Sequence, residues 1–504
     1  MQRDDAIRTL DAARWLDLTQ PLSIHTPPWP GEMPLQVHYF KRLTGSHGGG
    51  QGANGQLIEW SNNTGTHLVG PTAFHSGCRS ISEIPLTELC GRAVVADVSE
   101  AVEDYGFYTP TMIEERVEVR EGDILIVHTG YSRYAWDRPD TPNPDAQGGV
   151  ENKEFGYYVR HPGPSPDFYD WALDKRLKLI GVDCGSAEHP MNTNIRFLHG
   201  REFDKAQEVA KRLTGKTWEE LFPPEDYQRL THQTLPKAGL HFLEALGGDL
   251  GEVLNQRIWL LVQPVPFVEV EAAWCRVAAI VPGEGSSDDA DAFHDALDQI
   301  EMLDMTLPFS VRTPQWANYE PLSVKYTKRV GGLDYGLGRN NAHCRASFHL
   351  ATHMDGEIHF WAAGRPIGKV PLDYWHGPGV IVDISEEVSD SSVYTPAMIE
   401  DRVDLHDGDI LLIKTGWNRF GWNSPDSDEF RYMIKHPGPS PDFAAWCVER
   451  KIKWLGIDCV AMEHPMNTIQ RLMHPKTFEE AERKLIAQFG KGWDEMYPLD
   501  EYYQ

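Results

Sequence analysis

Long stretches of the first half of the chain recur in the second half, and this duplication limits the folds that the chain can adopt. The segment HPGPSPDF begins at His161 and recurs identically from His436. The segment that begins Gly181-Val-Asp-Cys and continues to Glu-His-Pro-Met-Asn-Thr recurs from Gly456 with few changes. The distance along the chain between the two copies of each segment is much longer than the repeat of a solenoid, which has about 20–50 residues. It indicates two copies of one domain.

The duplication predicts two domains joined by a linker. The chain has 504 residues, which is enough for two ordinary domains. The stretch 283–298 is acidic and rich in small residues, which is typical of a solvated linker that could carry a short helix. We therefore place the first copy at residues 1–282, the linker at 283–298 and the second copy at 299–504.

Within each copy, short apolar runs alternate with amphipathic runs, and this alternation predicts an α/β fold. The predicted strands are 93–98, 123–129 and 179–183 in the first copy and 380–384, 409–415 and 454–458 in the second. Helices are predicted at 109–116, 167–175, 395–402 and 442–451, and two of them begin with a Thr N-cap followed by Pro. Two further strands, at 257–265 and 274–281, occur only in the first copy.

Composition excludes several classes of protein. The formal net charge of −28 repels phosphates, and no basic stripe is visible, so a nucleic-acid partner is not expected. No apolar run approaches the roughly 18–20 residues of a membrane span. The seven cysteines are scattered without a C-x-x-C pair, which fits a reducing compartment. We expect a globular cytoplasmic protein that does not bind membranes.

The densest group of chemically active side chains lies in the second copy, where His349, His353, Asp355 and His359 fall within eleven residues. Imidazole and carboxylate are standard ligands of zinc and manganese. The spacing i, i+4, i+6 of the first three can converge on one ion from a loop or an irregular turn. His359 is then free to act as an acid or a base. A chance cluster of surface histidines is the weaker alternative, because the spacing is so tight.

The first copy does not retain this group. Asn63 stands at the position of His349, Val69 at that of Asp355 and Ala73 at that of His359, and only His67 is kept. Valine cannot bind a metal ion and alanine cannot move a proton. The two copies must therefore do different jobs.

The His349–His359 segment resembles the signature H-x-G-T-H-x-D-x-P-x-H of the cyclase-like metal-dependent hydrolases, the family of bacterial kynurenine formamidase and isatin hydrolase. Ala351 replaces the glycine and Glu357 the proline, while all four ionisable positions are kept. The likeness extends over both copies, through the Asp-Leu-Thr segment at Asp17 and the strand that ends in Thr-Gly-Trp417.

The resemblance implies a swivelling β/β/α domain in each copy, with the two copies forming a pseudo-dimer. It implies that His349, His353 and Asp355 bind Zn²⁺ or Mn²⁺ and that His359 is the catalytic acid–base. The implied activity is hydrolysis of a C–N amide-type bond by metal-activated water. The implied substrate is small and aromatic or cyclic: a cyclic amide, a lactam, or an N-acyl or N-formyl amide.

Family members with two metal ions add a His and a Glu twelve residues apart. The first copy carries such a pair, His232 and Glu244, in a tail that the second copy lacks. Either this tail reaches across and completes the site of the second copy, or the second copy works with its own three ligands and the tail serves only the first copy. The sequence leaves both alternatives open.

Two further features have weaker functional interpretations. The Glu-His-Pro-Met-Asn-Thr segments follow strands, but the first copy keeps one beside a degenerate signature, which favours a structural or interface role; contact of His464 with substrate is the alternative. Five aromatic residues could wall a pocket for a flat substrate or simply pack in the core: Phe348, Phe360, Trp361, Trp375 and Trp417.

Two other functions stay open beside the hydrolase. A lyase or ring-closing enzyme could use the same metal to stabilise an enolate, and no residue separates it from a hydrolase. A non-catalytic small-molecule binding protein is the third hypothesis, because the first copy persists without its site. The oligomeric state is also open, with a homo-oligomer among the expectations.

Overall fold

The computed structural model describes residues 2–43, 53–75, 77–135, 155–223, 234–283, 290–316, 319–331, 339–421 and 424–498. It divides into two compact units. Unit 1 comprises Met1–Val37, Ile58–Ser310 and Ser323–Arg345, and unit 2 comprises His38–Leu57, Val311–Leu322 and Ala346–Gln504. The units do not coincide with the repeats, since residues 38–57 of the first repeat belong to unit 2 and residues 323–345 of the second belong to unit 1. The boundaries of the repeats stay a prediction.

The strands and helices of the described residues are short. The strands, numbered along the chain, are β1 Arg14–Asp17, β2 Gln36–Lys41, β3 Gly55–Ser61, β4 His67–Val69, β5 Cys90–Asp97, β6 Phe107–Tyr108, β7 Ile124–His128, β8 Gly163–Pro164, β9 Leu179–Val182, β10 His241–Glu244, β11 Arg257–Pro264, β12 Ala272–Val281, β13 Ser323–Lys328, β14 Asn341–Ser347, β15 Gly379–Asp383, β16 Val393–Tyr394, β17 Ile410–Lys414, β18 Gly438–Pro439 and β19 Trp454–Ile457. The α-helices are Gln2–Ala12, Leu86–Leu89, Pro110–Glu114, Phe168–Asp174, Ile195–Leu198, Gly200–Thr214, Trp218–Leu221, Ala290–Leu297, Leu372–Trp375, Pro396–Glu400, Asn418–Gly421, Glu429–Ile434, Phe443–Glu449, Gln470–Met473, Pro475–Phe489 and Trp493–Met496.

Unit 1 contains a barrel-like sheet. Its strand order is β12-β11-β5-β7-β9-β10-β4, and the ring closes because β4 pairs with both β10 and β12. Strands β5, β7, β9 and β10 are parallel neighbours, whereas β11, β12 and β4 run antiparallel to theirs. Strand β1 adds to one side of β12. The mixed α/β class predicted from the sequence is confirmed.

The predicted elements form for the reasons that the sequence suggested. Val94, Ile126 and Ile180, in the three central strands, are fully buried, as expected where helices cover both faces of parallel strands. The helix Pro110–Glu114 begins as predicted, because the Thr109 hydroxyl accepts a hydrogen bond from the Met112 amide at 3.2 Å.

Part of the predicted linker is a helix of unit 1, Ala290–Leu297. Phe293 and Leu297, one helical turn apart, are buried, and Asp295 and Asp298 form ion pairs with Arg92. The residues 284–289 before this helix lie outside the described part of the chain. The linker is therefore anchored at its C-terminal end rather than solvated throughout.

Glu271, next to β12, is a fully buried carboxyl of unit 1. Its Oε1 accepts a hydrogen bond from the Ala342 amide at 2.8 Å, and its Oε2 has no partner among the described residues. Burial raises the pKa of Glu271 to about 7, and the nearby Glu32 adds to this while Arg339 opposes it. The ionised form of Glu271 is therefore costly in the folded protein.

A pH-dependent effect on stability follows from Glu271. The pKa is raised in the folded state, so the destabilisation is absent below about pH 4.5, grows as the pH rises and is complete above about pH 7. We expect Glu271→Gln to stabilise the protein relative to wild type by about 3 kcal/mol more at pH 8 than at pH 4.5. Denaturant unfolding at both pH values measures this difference. The control is Glu269→Gln, at an exposed position, and equal pH profiles for the two variants would contradict the prediction.

Unit 2 has a smaller parallel sheet, in the order β15-β17-β19. Its core gathers Ile399, Leu411, Trp417 and Trp493, each nearly or fully buried. Among the described residues, β15 and β19 each pair on one side only. One residue that matches a buried core position of the first copy is exposed: Val95 of β5 is 0% exposed, whereas its counterpart Ile381 of β15 is 56% exposed.

This contrast predicts unequal effects of matched substitutions. We expect Val95→Ala to destabilise β5 by about 2 kcal/mol, because it leaves a cavity in a closed core. Ile381→Ala removes more atoms but should change the stability of β15 by less than about 1 kcal/mol, because solvent already covers the side chain. Hydrogen exchange of the β5 and β15 amides measures each effect in its own unit. A larger loss for Ile381→Ala would show that β15 is covered in solution.

The identical HPGPSPD segments have a packing role in each copy. A Cβ atom at Gly163 would lie 2.3 Å from the Cβ of His189, and a Cβ at Gly438 would lie 2.3 Å from that of His464. Only glycine permits this approach.

No helix in the described ranges is long and apolar enough to cross a membrane.

Candidate metal centre

The predicted metal-binding segment follows β14 and belongs to unit 2. It is irregular until the short 3-10 helix Glu357–His359. Ala351, at the position of the signature glycine, has a φ of +52°, and its counterpart Gly65 in the first copy has a φ of +71°. This left-handed turn favours glycine, so Ala351 is strained. The turn directs the Ala351 carbonyl at Nδ1 of His353, 2.9 Å away.

The structure brings three of the predicted residues together. Nδ1 of His349 lies 3.2 Å from Oδ1 of Asp355, and Nε2 of His353 lies 3.5 Å from the same oxygen. One donor atom from each residue lies within 4.8 Å of the other two. Within the described ranges, these three are the only group of at least three His, Cys, Asp or Glu side chains that meet this closely.

Their electrostatic environment suits a metal ion. Burial alone would raise the pKa of Asp355, but the hydrogen bond with His349 and the charges of the surrounding imidazoles reverse the effect and lower it. Burial lowers the pKa of His353. A carboxylate and a neutral imidazole are the forms that bind metals.

The chemistry of the three side chains therefore fits a zinc or manganese ion. The Ala351 carbonyl accepts the proton of His353 Nδ1, which leaves Nε2 as the lone-pair donor facing Asp355. Two imidazole nitrogens and one carboxylate oxygen make three protein ligands, and a catalytic zinc site keeps its fourth position for water or substrate. Asp355 is 48% exposed, so the site has an open side.

His359 stands beside the three ligands and is held by a residue that the sequence did not reveal. Its ring centre lies 4.2 Å from that of His349. Its Nδ1 lies 2.7 Å from the carbonyl oxygen of Asn54, a residue of the first repeat that belongs to unit 2. Nδ1 therefore carries the proton and Nε2 is the free basic nitrogen. Burial, followed by the charge of His349, lowers the pKa of His359.

Asn54 also fixes the short helix that carries His359. Its side-chain amide donates to the Ile358 carbonyl at 2.6 Å, and its backbone amide donates to the His359 carbonyl at 2.8 Å. Tyr319 packs edge-on against His349, with 5.3 Å between the ring centres. No sequence signal could have identified Asn54 or Tyr319, because both are far from the signature along the chain.

The predicted aromatic residues separate into two groups. Phe348, Phe360 and Trp361 are exposed at 44%, 68% and 61%, and they flank the metal-binding segment in sequence. Trp375 is partly exposed. Trp417 instead belongs to the core of unit 2, where it packs against Phe420. Of the five residues, Trp417 is therefore the one that is enclosed in a core.

His464 is also part of the framework. It is fully buried, and its Nδ1 accepts a hydrogen bond from the Met466 amide at 3.1 Å, at the start of a 3-10 helix. His189 makes the same contact with Met191 in the first copy. This duplicated geometry explains why both copies carry the segment.

In the first copy, a histidine–glutamate pair occupies the corresponding place. His67 of β4 lies opposite Glu244 of β10, with 3.3 Å between Nε2 and Oε2, and both side chains are buried. Oε1 of Glu244 accepts a hydrogen bond from the Ala187 amide at 2.8 Å. Glu244 is thus engaged within its own copy, while its predicted partner His232 lies outside the described residues.

Comparison with known proteins agrees with this architecture. The model of the Cyclase family, described as "Putative cyclase", matches residues 16–189 and 303–464, one segment in each copy. Because these segments cover more than half of the chain, the protein belongs to the Cyclase family. The two matches also confirm the tandem duplication.

Individual relatives are distant. "Cyclase-like protein 1" of Arabidopsis thaliana is 25% identical over 169 residues, which are 31% of this chain and 61% of that protein. The match thus spans less than two thirds of that relative. Isatin hydrolase A of Labrenzia aggregata has a TM-score of 0.40 at 19% identity, covering 54% of this chain and 95% of that one. A structure described as a potential metal-dependent hydrolase with cyclase activity has a TM-score of 0.36 at 20% identity, covering 53% and 98%.

Proposed function

We propose that the protein is a metal-dependent hydrolase that cleaves a C–N amide-type bond of a small aromatic or cyclic molecule. The observation that carries the proposal is the convergence of His349, His353 and Asp355 beside a histidine whose proton position is fixed. The resemblance of this segment to the signature of the cyclase-like hydrolases supports the reaction type. A divalent ion, Zn²⁺ or Mn²⁺, would supply a Lewis acid that polarises the carbonyl and acidifies water.

The chain's own residues would divide the remaining work. His349, His353 and Asp355 would hold the ion. His359 takes a proton at Nε2 and returns it to the departing nitrogen, while the Asn54 carbonyl keeps Nδ1 protonated and the ring in place. The exposed rings of Phe360 and Trp361 offer flat apolar surface to the substrate.

We also propose that the second copy works with its own three ligands, because Glu244 is engaged with His67 and Ala187 in the first copy. One metal ion per chain is the expected stoichiometry. The same proposal includes zinc or manganese as the metal and a cytoplasmic location. It also includes the expectation that the protein binds neither nucleic acids nor membranes.

His359→Ala gives the second copy the residue that the first copy has at Ala73. We expect turnover to fall by roughly 10²–10⁴, the usual contribution of a general acid–base. The metal content should be unchanged, because His359 is not a ligand. The control is His406→Ala, on a loop of the same unit with the side chain 83% exposed.

Isotope labelling separates a hydrolase from the alternative lyase or ring-closing enzyme. The metal-loaded chain is incubated with a panel of lactams, cyclic imides and N-formyl aromatic amines in water enriched in oxygen-18. Hydrolysis places one labelled oxygen in the new carboxylate, which mass spectrometry detects. Conversion without label would overturn hydrolysis and favour the alternative, and no conversion by the metal-loaded chain would favour a binding protein.

A further inference from the structure

A segment of the first repeat lies directly against the candidate metal centre of the second copy. This segment, residues 38–57, belongs to unit 2 and contains the end of β2 and the start of β3, which are neighbouring strands. The Asn54 carbonyl oxygen lies 2.7 Å from Nδ1 of His359. The Gln56 carbonyl accepts a hydrogen bond from the Phe348 amide at 3.2 Å, just before the metal-binding segment begins. The side chains of the segment are therefore candidates for contact with a ligand of that site.

Lys41, the last residue of β2, lies beside the peptide group that holds His359. Its Cβ is 3.2 Å from the position that a Cβ would take at Gly55, the residue that follows Asn54. The charge of Lys41 also acts on the imidazole. Burial lowers the pKa of His359 most, the charge of His349 adds to this, and the charge of Lys41 makes a smaller contribution in the same direction. Lys41 is thus part of the surroundings of the proposed acid–base.

The ammonium of Lys41 has no hydrogen bond and no ion pair among the described residues. It is partly buried, and burial lowers its pKa without a carboxylate to raise it again. Lys414 and Lys451 of the same unit are instead paired with Asp383 and Asp407, at 2.6 and 2.5 Å, and these pairs raise the pKa of both lysines. A partly desolvated ammonium without a partner costs free energy, which an anion on a ligand would recover.

The side of His359 on which Lys41 lies indicates which part of a ligand it can contact. Nδ1 of His359 faces the segment 38–57, so Nε2, on the other side of the ring, serves the reacting bond under the proposed function. Lys41 begins on the Nδ1 side and therefore lies nearer to a substituent of the ligand than to the bond that breaks. Phe360 packs against His359, with 4.0 Å between the ring centres, and its exposed ring offers a surface for an aromatic body.

We propose that Lys41 is a specificity-determining residue of the metal centre and binds a carboxylate that the substrate carries. The substrate class is then an aromatic amide with a carboxylate substituent, whose ring lies against Phe360. Cleavage of this amide rests on the proposed function, whereas binding of the carboxylate by Lys41 does not. The first repeat thus contributes two residues to the site of the second, because Asn54 positions His359 and Lys41 selects the substrate.

Calorimetric titration of the full-length, metal-loaded His359→Ala protein tests the binding, because this variant should keep the metal without turning the ligand over. The probes are the three isomers of formamidobenzoate and formanilide, which is the same amide without the carboxylate. We expect at least one formamidobenzoate to bind about tenfold or more tightly than formanilide. Lys41→Met in this background should abolish the preference, and Lys41→Arg should retain it. The matched control is Lys476→Met, at an exposed lysine of the same unit.

Kinetics of the chain with His359 intact give a second readout. Lys41→Met should raise the KM for the preferred formamidobenzoate about tenfold or more and change kcat by less than about threefold, because the lost contact is made equally in the ground state and the transition state. The kinetics of formanilide should not change. A residue that only supported the fold would instead impair both substrates together.

Three results would overturn the inference. These are no binding of any formamidobenzoate, binding no tighter than that of formanilide, and a preference for the carboxylate that persists in Lys41→Met, which would assign the carboxylate to the metal ion. If circular dichroism shows that Lys41→Met does not fold, Lys41→Gln takes its place. A preference that depends on Lys41, together with a wild-type chain that hydrolyses neither compound, would overturn the proposed function and leave this inference standing. Hydrolysis of both compounds with equal KM, unchanged in Lys41→Met, would do the reverse.

Discussion

Replacing Asp355 with asparagine is expected to abolish stoichiometric metal binding. Asp355 is the residue that both His349 and His353 contact, at 3.2 and 3.5 Å, so it is the centre of the proposed ligand set. Asparagine keeps the shape but removes the negative charge that attracts a divalent cation. Loss of residues that only support ligands costs 10–100-fold in metal affinity, so loss of a ligand should cost roughly 100-fold or more.

The measurement is metal content per chain, by plasma mass spectrometry on protein purified without chelator. We expect about one equivalent of zinc or manganese in the wild type and a small fraction of that in Asp355→Asn. Activity should fall with the metal. The matched control is Asp373→Asn, at a carboxylate of the same unit that is 84% exposed. Equal metal content in the two variants would exclude the proposed ligand set, and two equivalents in the wild type would favour a site completed by Glu244 and His232.

The second large effect concerns stability, at Asp183, the residue that follows β9. Oδ1 of Asp183 accepts hydrogen bonds from the amide and hydroxyl of Thr129, at 2.7 and 2.6 Å, and Oδ2 accepts one from the Gly130 amide at 2.9 Å. The side chain is fully buried. Asp183→Ala leaves these donors unsatisfied in the interior and should destabilise unit 1 by about 3–5 kcal/mol.

The second copy supplies a matched comparison. Asp458 accepts the equivalent hydrogen bonds from Thr415 and Gly416, with the two amides at 2.8 and 2.7 Å. It is only partly buried, so water can replace the lost carboxylate, and Asp458→Ala should cost about 1–2 kcal/mol. Hydrogen exchange of β9 and β19 measures each change in its own unit. Equal losses would mean that β19 is as well protected from water in solution as β9.

Local chemistry made much of the protein predictable. A Thr–Pro pair starts a helix because the hydroxyl caps a free amide and proline already has a helical φ, and such a helix begins at Pro110 and again at Pro396. Continuous apolar runs became β5, β7 and β9 because a parallel strand buries both faces.

Part of the candidate site could also be predicted from the sequence. Residues four and six positions apart can meet on one ion only if the backbone turns between them, and the left-handed Ala351 provides that turn. Comparison of the two repeats showed which residues the first copy had lost. Trp417 illustrates the limit, because an aromatic residue of the core and one at a pocket have the same sequence pattern.

The sequence by itself determined the duplication, the α/β class, the four ionisable positions of the signature and the loss of three of them from the first copy. These features depend on the identity of residues and on their spacing along the chain, and both can be read directly from the sequence. Only the tertiary structure decided which distant residues meet: Asn54 of the first repeat holds His359, and the guanidinium of Arg339, from the second repeat, lies 5.3 Å from the ring centre of Trp29, from the first. The reason is physical. A backbone carbonyl or a guanidinium acts through its position in space, and that position depends on how segments 38–57 and 323–345 pack, which no local pattern encodes.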